Sequence, residues 1–211
     1  NPAVNPELYQ TLGAKLTEYK FDFKQLVRDI CNSETYQRST VPDPSNAHDN
    51  TNFARANVRR IPAEMMLDCI SQVTNTKDKF RGLPLGARAV EIADGGTSNY
   101  FLTTFGRSPR TTVCACEAKT EPTLSQALHM LNGSTVQGKI SSGGVVKSLL
   151  DAGKTPEQVI ESLYIRCLTR RPLPEETQSL MAIVSESASP QVGLEDVYWA
   201  IMNSREFLFN H

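Results

Sequence analysis

The sequence has no excess of charge of one sign, no apolar run of bilayer-spanning length, and no even, regularly spaced set of cysteines. Lysine and arginine number 22 against 23 acidic residues, so the overall field offers nothing to DNA or RNA, and no nucleic-acid partner is expected. Two short basic clusters, Arg55 through Arg60 and Arg166 through Arg171, lack interleaved aromatic residues and read as solvated or salt-bridged surface. The lack of a long apolar stretch argues against a membrane-spanning chain. Five cysteines at positions 31, 69, 114, 116 and 167 make no disulfide framework, and Cys31, Cys69 and Cys167 fall on apolar helical faces as small core residues. Neither G-x-G-x-x-G nor Walker spacing occurs, so Gly95-Gly96 is not a phosphate loop. What remains is a chain of 211 residues, 39% hydrophobic and 21% charged, long enough to bury a core without staples.

The richest segment is Phe105 to Gly133, FGRSPRTTVCACEAKTEPTLSQALHMLNG. Gly106, Pro109, Thr111 and Thr112 predict irregular or extended backbone up to Glu117. Thr123-Leu124-Ser125-Gln126 then fits a capping box, and Leu124, Ala127, Leu128 and Leu131 follow at helical offsets as an apolar face, with Asn132-Gly133 as the stop. This pattern predicts a helix that anchors the preceding polar loop to a core through its leucines, with His129 on the opposite, polar face beside Ser125 and Asn132.

Elsewhere the strong periodicities are helical. Asn5-Pro6-Glu7 and Asp22 through Gln25 start two helices, which a short join folds into a hairpin. Pro62 opens a helix with Met65, Met66, Cys69, Ile70 and Val73 on its buried face. Residues 77–98 lack a sustained period and read as a long loop with at most a short strand at 89–92, before a helical turn at 99–105 that packs Tyr100 and Phe101. Ser141 to Gly144 suggests a break before a short apolar helix through Val145 and Leu150. Thr155-Pro156-Glu157-Gln158 is the clearest helix start, and Pro172 and Pro174 end that helix and begin the next. Leu194, Val197, Tyr198, Ile201 and Met202 line a last helix, and the apolar end at 207–209 is expected to be docked. The fold class is therefore mainly α, an irregular multi-helix domain with a long central loop insert and little or no β. Residues 1–211 read as a single helical domain, with 1–76, 77–122 and 123–211 as its natural subdivision.

Candidate sites each have a plain reading beside a sharper one. Cys114 and Cys116 point the same way on an extended segment, as buried thiols, a redox pair, or two ligands of a metal whose other ligands are not evident; no metal site is assigned. Arg107, Arg110 and Glu117 form either an ion-pair network tying the loop to Arg60 and Glu64 at a neighbouring helix start, or forks for a carboxylate or other anion, such as an acidic sugar. Ser125 and His129 lie one turn apart but lack a nucleophile elbow and a third member. His48, among Asp43, Asp49 and Asn50, reads as a solvated loop histidine.

The segments NPELYQTL, SETYQRS, NVRRIPAE, FGRSPRTTVCACE, EPTLSQALHMLNG, LYIRCLTRRPLPEE and NSREFLFNH occur in that order. In them the chain resembles the C-terminal domain of the planctomycete cytochrome-c-associated proteins, a family of uncharacterised biochemical function. The resemblance covers nearly the whole chain. It implies a piece of a longer exported envelope protein, in which the domain follows another uncharacterised domain and often a c-type cytochrome module. A start at Asn1-Pro2 without an initiator methionine fits such a fragment. The haem-attachment pattern C-x-x-C-H is absent, so no cofactor is expected in this chain, and any haem belongs to a separate module. The resemblance carries over no catalytic residues. The expected function is a non-catalytic accessory or interaction domain that docks the preceding domain of the same polypeptide through the Phe105 to Gly133 motif. The alternative is a hydrolase or binding domain for polysaccharide or another anionic ligand, with Arg107, Arg110, Glu117 and His129 around its pocket.

Overall fold

Helix signals in the sequence translate directly into the backbone of the computed structural model, which describes residues 3, 5–49, 53–112, 123–132 and 134–210. The fold is mainly helical and divides into two units, residues 1–59 and 60–210.

In the first unit, α1 (Pro6–Glu18) starts where Asn5 caps the Leu8 amide, and α2 (Phe23–Cys31) where Asp22 caps that of Gln25. Lys20 and Phe21 turn the chain between them in the left-handed region, with φ of 52° and 65°. Polar contacts tie this hairpin together. The Tyr19 hydroxyl donates to Asp29 Oδ2 at 2.5 Å, and Lys15 Nζ donates to Tyr19 at 3.1 Å. Leu26 is the one buried apolar side chain among the described residues of this unit, while Phe23, Val27 and Ile30 of α2 are exposed.

The second unit holds the core. Its helices are α3 (Ala63–Val73), α4 (Tyr100–Thr104), α5 (Leu124–Asn132), α6 (Ser134–Gly143), α7 (Val145–Asp151), α8 (Pro156–Leu168), α9 (Pro174–Glu186), α10 (Pro190–Met202) and α11 (Arg205–Leu208). Arg60 of the short strand β1 (Arg59–Arg60) opens this unit, the short strand β2 (Phe209–Asn210) ends it, and between them the Ile61 amide donates to Leu208 O at 3.0 Å. The capping box at Thr155 and Gln158 is present in both directions.

Helix α10 is the hub, packing against α6, α7, α8, α9 and α11. Its Leu194, Val197, Tyr198 and Met202 are completely buried. At about 2 kcal/mol for each such side chain, this one helix contributes an amount comparable to the whole net stability of a domain. Gly193 permits a close approach to α9, since a Cβ there would lie 2.8 Å from Val184 Cα. The apolar end is docked as expected, with Phe207 buried. Nearby, Arg170 bridges Glu176 and Glu206 at 2.6–2.8 Å, and its hydrogen bonds hold the Glu176 carboxyl down at about 2.

Three local expectations change. Residues 89–91 form a 3-10 turn instead of a strand, because the Asp68 carboxylate accepts the Ala89 and Val90 amides at 2.5 and 3.3 Å and no partner strand is needed. Met65 is exposed, with Met66 and Leu67 taking the inward positions of α3. The stretch before Gly144 is helical, as α6, and ends where Gly144 adopts φ 59°. The central insert is loop-rich but not superficial, because Phe80, Ala89, Ile92, Phe101, Leu102 and Phe105 are all core residues.

Candidate functional site

The central motif begins at the end of α4, whose Asn99 cap accepts the Leu102 amide at 3.0 Å. Arg107 turns its guanidinium inward, and its side chain is only 4% exposed. The fork donates to the main-chain carbonyls of Ile92, Asp94 and Thr97 at 3.2, 3.0 and 3.4 Å. Its Nε lies 3.5 Å from Glu64 Oε1, an ionic contact without hydrogen-bond geometry. Arg110, at φ 54°, donates to Ala93 O at 3.1 Å. Gly95 makes this possible, because a Cβ at that position would sit 1.9 Å from Pro109 O. The two arginines thus clasp residues 92–97 and fold that loop onto α3.

Arg60 donates to Phe105 O at 2.9 Å and lies over the Phe105 ring, 5.5 Å from its centroid, and burial draws its pKa below the ordinary arginine value. Of the expected network, the structure brings together Arg107 and Glu64, while Arg60 attaches to the same segment through Phe105. Glu117, Cys114 and Cys116 lie outside the described residues. Among the described residues no cluster of three or more His, Cys, Asp or Glu side chains is arranged to hold a metal ion. Burial raises the Cys69 thiol and pushes that of Cys167 up to about 12, so neither is a thiolate near neutrality.

Helix α5 has the predicted capping box, with Gln126 N–H on Thr123 Oγ1 at 3.3 Å and Thr123 N–H on Gln126 Oε1 at 3.2 Å. Its orientation is the reverse of the expectation. Leu124, Leu128 and Leu131 are 76%, 49% and 51% exposed, whereas Gln126, His129 and Met130 are buried. Gln126 Nε2 donates to Thr104 O at 3.0 Å, and His129 enters a cage of Tyr100, Phe101 and Phe105 with ring centroids 5.2, 5.5 and 5.9 Å away. Edge-on aromatic contacts and two polar anchors outweigh the leucine stripe. His129 Nε2 pairs with Thr135 Oγ1 at 3.0 Å, so its polar partner comes from α6.

Burial holds the His129 imidazole below its ordinary value of 6.5. The folded chain keeps it neutral while the unfolded chain takes up a proton at that value. Its contribution to stability is therefore complete above pH 6.5 and is lost as the pH falls through the depressed folded value. His129→Gln is expected to flatten the fall in unfolding free energy just below pH 6.5, measured by urea denaturation at stepped pH.

Beyond Thr135 is a group that sequence reading missed. Lys139 Nζ donates to Asp78 Oδ1 at 2.6 Å and to Thr76 Oγ1 at 3.2 Å, and Ser71 donates to Asp78 Oδ2. Lys139 and Asp78, with Asn99, Tyr100, Thr135 and Gly138, line an open cleft of about 310 Å³. Sixty-one positions separate Asp78 from Lys139, and only a reading of α6 as a helix would have aimed Lys139 at all.

No curated protein and no solved structure matches the sequence. A family model does match, over residues 1–184, which is most of the chain. The protein therefore belongs to the PSD1 family, described as proteins of unknown function (DUF1553).

Proposed function

We propose that the domain is a non-catalytic accessory and interaction module whose docking face is the outward stripe of α5. The observation that carries this reading is the inversion of that helix, which leaves Leu124, Leu128 and Leu131 exposed in a row within the motif expected to dock. The occupant is the preceding domain of the same polypeptide, the partner implied by the resemblance to multidomain envelope proteins. On this reading the parent is exported, and any haem resides in a separate module. The rival, a hydrolase or anion-binding domain centred on Arg107 and Arg110, gains nothing from guanidinium groups already committed to main-chain carbonyls.

Titration calorimetry between this chain and the separately expressed preceding domain tests the proposal. Leu128→Asp should weaken binding at least about tenfold, equivalent to about 1.4 kcal/mol, without lowering the melting temperature. Absence of binding by the wild-type chain, or equal binding by the variant, would overturn it.

A further inference from the structure

Lys139, Asp78, Asn99 and Tyr100 surround a cleft whose composition favours one class of ligand. We infer that it binds a neutral polyhydroxylated molecule, a sugar unit of a saccharide, at a site separate from the α5 docking face.

Charge is the first argument. Lys139 and Asp78 neutralise each other at 2.6 Å, so among the described lining residues there is no net charge with which to select a phosphate or an amine. The pair instead presents an N–H donor beside a carboxylate acceptor, the complement of two neighbouring hydroxyl groups. Lys139 uses two of its three protons within the protein. Asn99 spends its Oδ1 on the Leu102 amide, and among the described residues its NH2 group has no partner.

Aromatic exposure is the second. Sequence reading has Tyr100 packed inward, yet it is 73% exposed, and its ring is held against His129 at the cleft. A fixed, accessible ring is a platform for the C–H-rich face of a pyranose. Gly138 is the third argument. It lies inside α6, where glycine costs about 1 kcal/mol relative to alanine, and no atom of the described residues lies within 4 Å of where its Cβ would be. Packing therefore does not demand it. What its missing side chain preserves is the open volume of the cleft, which is at the lower end of the ~300–1,000 Å³ typical of ligand sites.

Calorimetric titration of the whole chain with cellotetraose, xylotetraose and mannotetraose, with inorganic phosphate for comparison, tests the assignment. At least one saccharide should bind. Tyr100→Ala, which removes the platform, and Gly138→Leu, which fills the cleft, should each weaken that binding about tenfold or more. Leu128→Asp should leave it unchanged, which separates a failure here from a failure of the docking proposal. Binding of none of the three saccharides, binding of phosphate alone, or indifference to both cleft variants would overturn the inference.

Discussion

Gly143→Ala should lower the melting temperature by about 10 °C, while Gly138→Ala in the same helix should raise it slightly. A Cβ on Gly143 would lie 1.8 Å from the carbonyl oxygen of Thr74 and 2.9 Å from its carbon. Both are backbone atoms, so no change of rotamer relieves the overlap. Nor can the end of α3 retreat. Thr74 is fully buried and its hydroxyl donates to Ile70 O at 2.6 Å, while the adjoining Val73 carbonyl accepts from both the Tyr198 hydroxyl and Arg166 Nε. Helix α6 must withdraw instead, disturbing Val136 and Ile140, at a cost of about 3 kcal/mol or more. A Cβ on Gly138 would meet nothing within 4 Å among the described residues, so alanine there recovers helix propensity worth up to about 1 kcal/mol. Thermal melts followed by circular dichroism would read both. A Gly143→Ala protein melting with the wild type would show that α3 and α6 do not approach as described.

Arg107→Ala should cost about 3 kcal/mol, the range for removing one member of a buried charge pair. The loss has two parts. The carbonyls of Ile92, Asp94 and Thr97 forfeit their shared donor, and the Glu64 carboxylate, with its side chain 18% exposed, loses the guanidinium beside it. Arg107→Lys should recover less than half of the loss, since an ammonium group on a flexible stem cannot span three divergent carbonyls as the planar fork does. Denaturant midpoints give the energy. Limited proteolysis gives the location, because cleavage within residues 92–97 should accelerate in Arg107→Ala. Unchanged cleavage there would remove the clasp from the account of this loop.

The contrast between α5 and α8 shows what the sequence could convey. Both carry capping boxes that read correctly, because a cap is a conversation between residues three apart. In α8 the apolar stripe also faced inward, burying Val159, Ile160, Leu163 and Tyr164. In α5 it did not. Which face of a short helix turns inward is set by what waits on the other side, and here that is Thr104 O and the aromatic cage around His129. Those partners belong to α4 and to Phe105 just after it, a turn that the sequence marks without any sign that α5 packs on it. The arginines were legible as chemistry and only partly as geometry. Pairing of Arg107 with Glu64 followed from charge, but donation to carbonyls 10 to 15 residues upstream depends on the fold of a loop with no period. The Asp78–Lys139 pair escaped notice for a related reason. It joins a loop residue to a helix that the serines and glycines of 141–144 had disguised as a break.

Helix α10 has a consequence for synthesis. It is contributed by residues 190–202, and Tyr198 closes a hydrogen bond to a carbonyl 125 positions earlier. Local helices such as α3 and α8 can form as they leave the ribosome, but the interior they share has no centre until the final stretch emerges. Translation therefore releases the second unit nearly whole before it can close, and its apolar surfaces spend that interval in reach of chaperones.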